Sequence, residues 1–442
     1  MSTVETHVAP PASAASLPPG PRIPKLLQGL AYGFLRRPFV HLVARRYGNV
    51  FTLHVPIYGA IMVVADPQLA KQVFTTSPEV LGNIQPNLSR LLGRGSVFAL
   101  DREDHRQRRR LLAPPFHGKS VKNYETIIEE ETLREIAKWS EGTPFATLPS
   151  MMHITLNAIL RAVFGAEGLE LDELRRIIPP WVTLGSRLAP LPKPSRDYGR
   201  YSPWTRLAEW RARYDAIVDK LIDDERADPY FEDRNDVLAL MLRSTYDDGT
   251  AMTREDIGDE LLTLLAAGHE TTASTLAWVF ERVSRHPDLL TALTAEADTE
   301  GNELRQATIL ETQRSRTVID AIGRQVFAPT YELGDWTIPR GHTIMVSISR
   351  LHGDGELFPE PERFDPQRFV GSKPPSFAWI PYGGGTRRCV GAVFANVEMD
   401  VVLRTILRHF TIEATTAPAE ELHARGVAFT PKDGGKITVR RR

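Results

Sequence analysis

The distribution of proline limits the fold of this chain more than any other feature, because an internal proline kinks or ends a helix. The chain has 33 prolines among 442 residues, and three clusters of them stand out. Residues 17–24 predict a stiff, extended entry segment. Residues 179–203 interrupt helical patterning and predict a mobile connection between two helices, which could act as a lid over a ligand site. Residues 358–381 interleave prolines with aromatic residues and predict an ordered, irregular loop.

Helical periodicity fills most of the chain between these clusters. Apolar residues recur at helical spacing in the stretches 121–139, 151–164, 207–222, 236–242 and 257–283. Strand patterns are shorter and form two predicted pairs, 50–55 with 60–64 around Gly59 and 331–338 with 343–348 around 339–341. The expected fold class is therefore mainly α with a small β region.

The chain is predicted to be a single integrated domain. No Gly/Ser linker, long charge block or internal repeat follows residue 25, so the domain is expected to span residues 17–442. Residues 1–16 lack the pattern of a secretory signal and are predicted to form a disordered leader. The most apolar stretch, 261–280, is interrupted at 268–270 and does not give the roughly 18–20 apolar residues of a bilayer span. We expect no transmembrane anchor and a cytoplasmic location.

The charge balance and the cysteine count exclude several classes of protein. The 54 basic and 55 acidic residues give a net charge of −1, without the positive excess that nucleic-acid binding requires. A single cysteine, Cys389, excludes an intramolecular disulfide framework and a zinc site with several thiolates. DNA and RNA are therefore not expected as partners, and the compartment is expected to be reducing.

The segment around the cysteine is the sharpest chemical feature. Residues 382–392 read Tyr-Gly-Gly-Gly-Thr-Arg-Arg-Cys-Val-Gly-Ala, and a helical pattern follows. A cysteine at a helix start, beside Arg387 and Arg388, is predicted to favour the thiolate, a soft metal ligand. The glycines would let a flat cofactor approach. From this segment alone, a buried cysteine in a glycine-rich turn and a phosphate loop without its usual Lys-Ser/Thr ending are alternatives.

A second feature interrupts the longest apolar pattern. Residues 267–272 read Ala-Gly-His-Glu-Thr-Thr within the predicted helix 257–283. A local exception to core patterning suggests a site. Gly268 would let a ligand lie against the backbone, and Thr271 can bond back to a carbonyl and open a helix irregularity suited to dioxygen. The alternative is a solvent-facing stripe with a tolerated glycine.

Two further motifs are ambiguous on their own. Glu311 and Arg314 form an i,i+3 pair on a predicted helix, a common arrangement worth only about 0.2–0.5 kcal/mol. Residues 105–116 combine His105 with four arginines on a short predicted helix, which by itself could be a solvated basic face.

Taken together, these motifs resemble those of the cytochromes P-450 (P450s), the haem-thiolate monooxygenases, and they follow one another in the family's order. The chain is similar in character to the soluble bacterial members, of actinobacterial or mycobacterial type. The resemblance implies the cytochrome P450 fold, haem b (iron) held through the Cys389 thiolate, and no flavin or NAD(P) site in this chain. Tyr382 stands where the family usually has Phe, which bears on redox tuning and not on ligation.

The resemblance also assigns roles to individual residues. Glu270 and Thr271 would be the catalytic pair that organises proton delivery. Glu311, Arg314 and Arg368 would hold the cysteine loop in place. The residues implied to contact the haem, with Cys389 as the metal ligand, are His105, Arg109, Ala267, Gly268, Arg324, Arg387, Cys389 and Gly391.

The implied activity is monooxygenation of a hydrophobic small molecule such as a lipid, sterol, fatty acid or terpenoid. Electrons would come from a separate ferredoxin or flavodoxin-type donor, since no dinucleotide fingerprint follows a strand. Apolar residues within 80–100 and the connection 179–203 are expected to shape the pocket. A haem-thiolate peroxygenase or isomerase and a non-enzymatic haem sensor or carrier are alternatives, but neither would need the Glu270–Thr271 pair.

Two further expectations concern His269 and the arginines that have no role in haem binding. His269 is expected to pack or lie at the surface, since a second metal ligand there would block the oxygen site. The remaining arginines of the cysteine side are expected to form a positive patch where an acidic electron donor docks, and these are Arg106, Arg108, Arg110 and Arg388.

Overall fold

The computed structural model describes residues 16–84, 87–116, 118–165, 168–189, 191 and 199–442. The predicted leader apart from Ser16, most of the predicted lid after residue 189, and residues 85–86 of the predicted pocket wall lie outside the described residues. The helices are α1 (Lys25–Tyr47), α2 (Pro67–Thr75), α3 (Ser89–Leu92), α4 (Arg102–Leu112), α5 (Lys119–Lys122), α6 (Tyr124–Ile136), α7 (Thr147–Phe164), α8 (Leu169–Leu188), α9 (Pro203–Ala227), α10 (Val237–Arg243), α11 (Arg254–Val283), α12 (Pro287–Ala297), α13 (Glu303–Ser315), α14 (Ile348–His352) and α15 (Ala392–His409). The strands are β1 (Val50–Val55), β2 (Gly59–Val64), β3 (Leu81–Gly82), β4 (Phe145–Ala146), β5 (Ala321–Val326), β6 (Thr330–Leu333), β7 (Trp336–Pro339), β8 (Thr343–Ser347), β9 (Phe410–Ile412), β10 (Leu422–Arg425), β11 (Ala428–Pro431), β12 (Lys436–Ile437) and β13 (Val439–Arg441).

Helix accounts for 55% and strand for 13% of the residues, so the predicted class, mainly α with a small β region, is confirmed. The helical stretches predicted from periodicity correspond to α5 with α6, α7, α9, α10 and α11. Side-chain caps explain where several helices begin. Asp66 accepts a hydrogen bond from the Leu69 amide at 2.8 Å before α2, and Thr253 accepts one from the Asp256 amide at 3.1 Å before α11.

The expectation that the second proline cluster breaks a helix at its start is wrong. Helix α8 runs through Pro179 and Pro180 to Leu188 without leaving helical geometry. Ile178 and Trp181 on the same turn are fully buried, and the Trp181 ring packs edge-on to Tyr214 at 5.5 Å. Burial of two such side chains contributes roughly 1.5–3 kcal/mol each, which offsets the cost of a proline inside a helix.

The chain divides into two compact units, and the first lies within Met1–Gln85 and Gly323–Val346. Its sheet has the strand order β1-β2-β8-β5-β3. Strands β1 and β2 form the predicted antiparallel pair. The second predicted pair is wrong, because residues 331–338 are themselves a hairpin, β6 with β7, and β8 pairs in parallel with β2. Gly334, with φ of 58°, supplies the left-handed turn that the strand pattern did not reveal.

The second unit, Pro86–Ile322 with Ser347–Arg442, is built around α11. Helix α11 packs along α7, and α15 packs on α6. The Phe394 ring of α15 lies edge-on to Tyr124 at 5.4 Å and to Phe116 at 6.0 Å. In the part of the chain that the structure describes, no helix combines the length and apolarity needed to cross a bilayer.

Candidate functional site

The cysteine loop is closed by a backbone hydrogen bond and shaped by two glycines. The Cys389 amide donates to the Tyr382 carbonyl at 2.9 Å. Gly383 and Gly385 have φ of 71° and 66°, a region that L-residues with a side chain rarely adopt. Helix α15 begins three residues after the cysteine, and the Cys389 side chain is exposed. The loop therefore presents one thiol at a helix N-terminus.

The electrostatics of the thiol differ from the sequence prediction. Burial among protein atoms raises the pKa of Cys389, and the Gly391 amide, Arg109 and Arg388 oppose that rise without overcoming it. A thiol that is solvent-accessible yet surrounded by protein lies on the floor of a recess. The helix start and the adjacent arginines thus act in the expected direction, and burial acts against them. Arg387 is engaged elsewhere, since it donates to the Leu100 carbonyl at 2.5 Å and pairs with Asp101.

Helix α11 carries an exposed stripe in the middle of the core. Between Ile257 and Val283 every residue is buried except four, which recur at helical spacing: Leu264, Ala267, Gly268 and Thr271. Residues on all other sides of the helix are covered, so these four define the one open side of α11, here called its cavity side. The polar run of the sequence is thus split, with Ala267 and Thr271 on the cavity side and His269 and Glu270 buried.

Gly268 also lies against the neighbouring helix α7. A Cβ placed on it would lie 3.3 Å from Ile159 Cγ1, tighter than an ordinary contact. The missing side chain therefore allows close packing of α11 on α7. Thr271 behaves as expected, since its hydroxyl donates to the Ala267 carbonyl at 2.9 Å.

His269 packs in the core, as expected. It is 2% exposed, its ring bonds to the Leu265 carbonyl at 2.7 Å, and burial lowers its pKa to about 4. The imidazole is therefore neutral near pH 7. It has no part in the cavity.

Glu270 is held by a partner that the sequence motifs did not indicate. Arg425, at the end of β10, lies 3.2 Å from the Glu270 carboxylate and 3.3 Å from the Thr183 hydroxyl of α8. Burial raises the pKa of Glu270, while Arg425 and then Arg187 oppose the rise. Burial therefore favours the protonated carboxyl, and the close cation favours the ionised one.

The predicted haem-contacting cations differ in their positions and in their partners. Arg109 lies close to Cys389, and among the described residues its guanidinium donates no hydrogen bond to the protein. His105 is buried one turn earlier on α4. Arg387 is already paired with Asp101. Arg324 belongs to the first unit, where it lies 5.6 Å from the Phe74 ring centre.

These features fit a haem with a thiolate ligand. The Cys389 thiol is accessible, a Cβ on the nearby Gly391 would meet nothing within 4 Å, and α11 offers an uncovered stripe of small and apolar residues. Arg109 is a cation without an acidic partner in the described chain, as a carboxylate-binding group requires. A soft sulfur ligand, open space and an unpaired cation are the features that a dicarboxylate macrocycle with iron needs.

The predicted positive patch is wrong for Arg108, whereas Arg388 is exposed as expected. Arg108 is 3% exposed and forms ion pairs with Glu260 at 3.1 Å and Asp256 at 3.2 Å. Arg106 and Arg110 are exposed, but acids neutralise them, Glu103 at 2.6 Å and Asp247 at 2.8 Å respectively. Sequence spacing alone did not reveal these acidic partners. The correction is physical, because each of these three arginines already has an acid beside it.

The predicted brace of the cysteine loop is confirmed. Arg314 donates two hydrogen bonds of 2.7 Å to the Glu311 carboxylate, and Arg368 lies 3.7 Å from the same group. Sequence reasoning missed His352, whose ring accepts from the Ile380 amide at 2.9 Å and bonds to the Thr317 hydroxyl. Its carbonyl accepts from Arg314 at 2.8 Å, so His352 links the brace to the segment before the cysteine.

The extra hydroxyl of Tyr382 is fully accommodated. It donates to Asn396 Oδ1 at 2.7 Å and accepts from the Gln313 amide at 2.7 Å. Burial raises the pKa of this phenol, so it stays protonated. The residue that departs from the family pattern therefore ties the cysteine loop to α13 and α15.

Glu398 of α15 is a second residue that the sequence analysis did not single out. It is fully buried, neither of its carboxylate oxygens has a hydrogen-bond partner among the described residues, and burial raises its pKa well above the usual range. An acid in an apolar helical pattern nine residues after the cysteine is the signal that could have found it. Burial therefore favours the neutral form of its carboxyl.

The family to which the chain belongs follows from direct comparison. The family model described as Cytochrome P450 matches residues 18–439. Cytochrome P450 138 of Mycobacterium tuberculosis and of Mycobacterium bovis is 71% identical over 442 residues, the whole of both chains. Cytochrome P450 135B1 of Mycobacterium tuberculosis is 40% identical over 97% of this chain and 92% of that protein. The chain therefore belongs to the cytochrome P450 family, the haem-thiolate monooxygenases.

Solved structures show the same fold. A retinoic acid-bound cyanobacterial P450, CYP120A1, matches 97% of this chain and all of its own with a TM-score of 0.85 at 22% identity. The haem domain of cytochrome P450DA matches 97% of this chain and 98% of its own with a TM-score of 0.84 at 21% identity. At such identities the likeness concerns the fold, and it confirms the predicted P450 fold over both units.

Proposed function

We propose that Cys389 holds haem b through its thiolate and that the protein inserts one oxygen atom of O2 into a hydrophobic small molecule. The observation that carries this proposal is the accessible thiol at the start of α15 in the same unit as the uncovered stripe on α11. When bound, the haem supplies the oxygen-activating chemistry. The chain supplies the ligand, the cavity and the proton-carrying groups.

The proton-carrying groups are Thr271 and Glu270. The Thr271 hydroxyl is on the cavity side of α11, and its donation to Ala267 fixes the orientation of the oxygen lone pairs. Glu270 is adjacent and buried, with Arg425 favouring its ionised form. Burial raises the pKa of this carboxyl and Arg425 opposes the rise, so its proton affinity is set by these two neighbours. His105, Arg109, Arg324 and Arg387 are proposed to bind the carboxylates of the haem, together with close approach at Ala267, Gly268 and Gly391.

The absorption spectrum of the reduced protein with carbon monoxide tests the ligand. We expect a strongly red-shifted Soret band that is absent from Cys389→Ser. Thr271→Ala is the matched control, because it changes the cavity without touching the sulfur, and it should keep the band. A native protein without any haem band, despite adequate haem supply during expression, would contradict the proposal.

Electrons are proposed to come from a separate ferredoxin or flavodoxin-type protein in the cytoplasm. The substrate is proposed to be apolar, since Leu264 and Ala267 line the cavity side of α11, and the cyanobacterial neighbour was solved with retinoic acid. Turnover with a surrogate ferredoxin and its reductase tests both points, with fatty acids, sterols and retinoids as substrates. Thr271→Ala and Glu270→Gln should lower the product formed per NAD(P)H consumed. Product formation from hydrogen peroxide alone, undiminished in both variants, would favour a peroxygenase instead.

A further inference from the structure

The first half of α1 turns an apolar face to the outside of the protein. Five large apolar side chains, here called the α1 face, are exposed at helical spacing: Ile23, Leu26, Leu27, Leu30 and Phe34. Phe34 is 82% and Leu26 67% exposed. Among the described residues, seven of the fifteen exposed large apolar side chains lie between positions 23 and 42. Scattered apolar residues on a surface are ordinary, but one contiguous stripe is not.

The orientation of this helix is fixed by polar contacts on its inner side. Gln28 is 1% exposed, its amide donates to the Ile23 carbonyl at 2.9 Å, and its oxygen accepts from the His54 amide of β1 at 2.8 Å. Tyr32 is also buried, one turn further on. The usual arrangement of an amphipathic helix is therefore reversed, with a glutamine inside and leucines outside.

The β1–β2 turn extends the α1 face. A Cβ on Gly29 would lie 2.5 Å from Pro56 Cδ, so the turn abuts the helix there. Ile57, at the tip of that turn, is 43% exposed. The exposed apolar surface is thus formed by two elements of the first unit, the helix α1 and the β1–β2 turn.

The chain segment that carries this surface has charges of one sign. No aspartate or glutamate occurs from residue 6 to residue 65, although the whole chain has a net charge of −1. The same stretch contains six lysines and arginines, Arg22, Lys25, Arg36, Arg37, Arg45 and Arg46. Arg22 and Lys25 are exposed at the beginning of the α1 face. An apolar helix face flanked by cations without acids is the pattern of helices that lie in the interface of anionic bilayers.

We propose that the α1 face and Ile57 dock on a lipid bilayer surface that carries anionic headgroups. The leucines and phenylalanine would enter the boundary between headgroups and acyl chains, and Arg22 and Lys25 would contact the headgroups. The inference goes beyond the proposed monooxygenase function and does not depend on it. It would bring the enzyme to the place where apolar substrates concentrate.

Flotation of the full-length holoprotein with vesicles tests the proposal. We expect the protein to float with vesicles of phosphatidylcholine and phosphatidylglycerol, and to remain unbound with phosphatidylcholine alone. The double variant Leu30→Gln/Phe34→Gln should lower the partition coefficient by at least about tenfold. Leu133→Gln/Leu169→Gln, which changes two exposed leucines elsewhere, is the matched control and should bind as the native chain does.

Charge reversal provides a second, independent arm. Lys25→Glu should weaken binding by roughly fivefold or more, the effect of one cation near an anionic surface, and added salt should weaken the native protein in the same way. Far-UV circular dichroism confirms that each variant is folded. Failure of the native protein to float with anionic vesicles, or equal binding by the α1 variants, would overturn the proposal. A concentration-dependent dimer that Leu30→Gln/Phe34→Gln abolishes, without vesicle binding, would assign the α1 face to a second copy of the chain instead.

Discussion

Replacing Glu398 with glutamine should make the stability of the protein less sensitive to pH. Glu398 is fully buried between α11 and α15, and burial raises its pKa well above its ordinary value of 4.5. Above pH 4.5 the unfolded chain releases this proton while the folded protein keeps it. Each rise in pH therefore favours the unfolded state of the native protein, until the folded pKa is reached.

The magnitude follows from that linkage. One proton bound in the folded state and absent from the unfolded state costs at most about 1.4 kcal/mol of stability for each pH unit. A glutamine side chain cannot ionise, so the Glu398→Gln variant lacks this loss. The buried amide of the variant adds an offset of its own, but that offset does not change with pH. The diagnostic quantity is therefore the slope of the stability difference, which should rise in favour of the variant from pH 5 to pH 7.

Urea unfolding of both proteins at intervals of half a pH unit measures this slope. Glu300→Gln, at an exposed glutamate, is the control for the loss of one carboxyl from the chain. A difference between Glu398→Gln and the native protein that stays constant from pH 5 to pH 7 would refute the reasoning. It would mean that Glu398 is ionised in the folded protein, with a compensating group near it.

Three further changes test the site and the core. Arg425→Gln removes the cation that holds down the pKa of Glu270, so the acidic limb of the pH profile of turnover should move to higher pH, and an unmoved limb would contradict the pairing. Glu311→Ala leaves the buried Arg314 without its carboxylate, and urea unfolding should show a loss of about 3–5 kcal/mol, with an effect below about 1 kcal/mol speaking against the brace. Phe394→Ala empties a buried aromatic site and should lower the unfolding free energy by about 3–5 kcal/mol, unless the neighbouring rings collapse into the space.

The sequence pattern predicted those elements whose stability depends on residues close together in the chain. The periodicity of 257–283 specified α11, and the alternation around Gly59 specified the β1–β2 pair. The hairpin β6–β7 was missed because its turn rests on one glycine, Gly334, within a stretch that alternates throughout. The continuation of α8 through Pro179 was missed because the burial that offsets the proline comes from distant segments.

The same limit applies to the site. Motif spacing brought Cys389 and the acid–threonine pair to attention, but residues that support them come from far along the chain. Arg425 is 155 residues from Glu270, and the pair is visible only once β10 is placed beside α11. His352 joins Arg314 to Ile380 through its carbonyl and its ring, and no spacing rule marks such a link. Long-range partners require the fold before they can be named.

Arg108 and Arg109 show why a motif alone cannot assign a carboxylate-binding cation. Neighbouring residues on a helix point about 100° apart, so on α4 only one of the two can face the cysteine. Arg108 points into the core, where Glu260 and Asp256 neutralise it. Arg109 faces Cys389 and, among the described residues, has no acid beside it. A buried cation that already has two carboxylates gains little from a third, whereas an unpaired cation in a recess is stabilised by one. Because Arg108 is buried and already paired, Arg109 is the one of the two that is available to an anionic group of the cofactor.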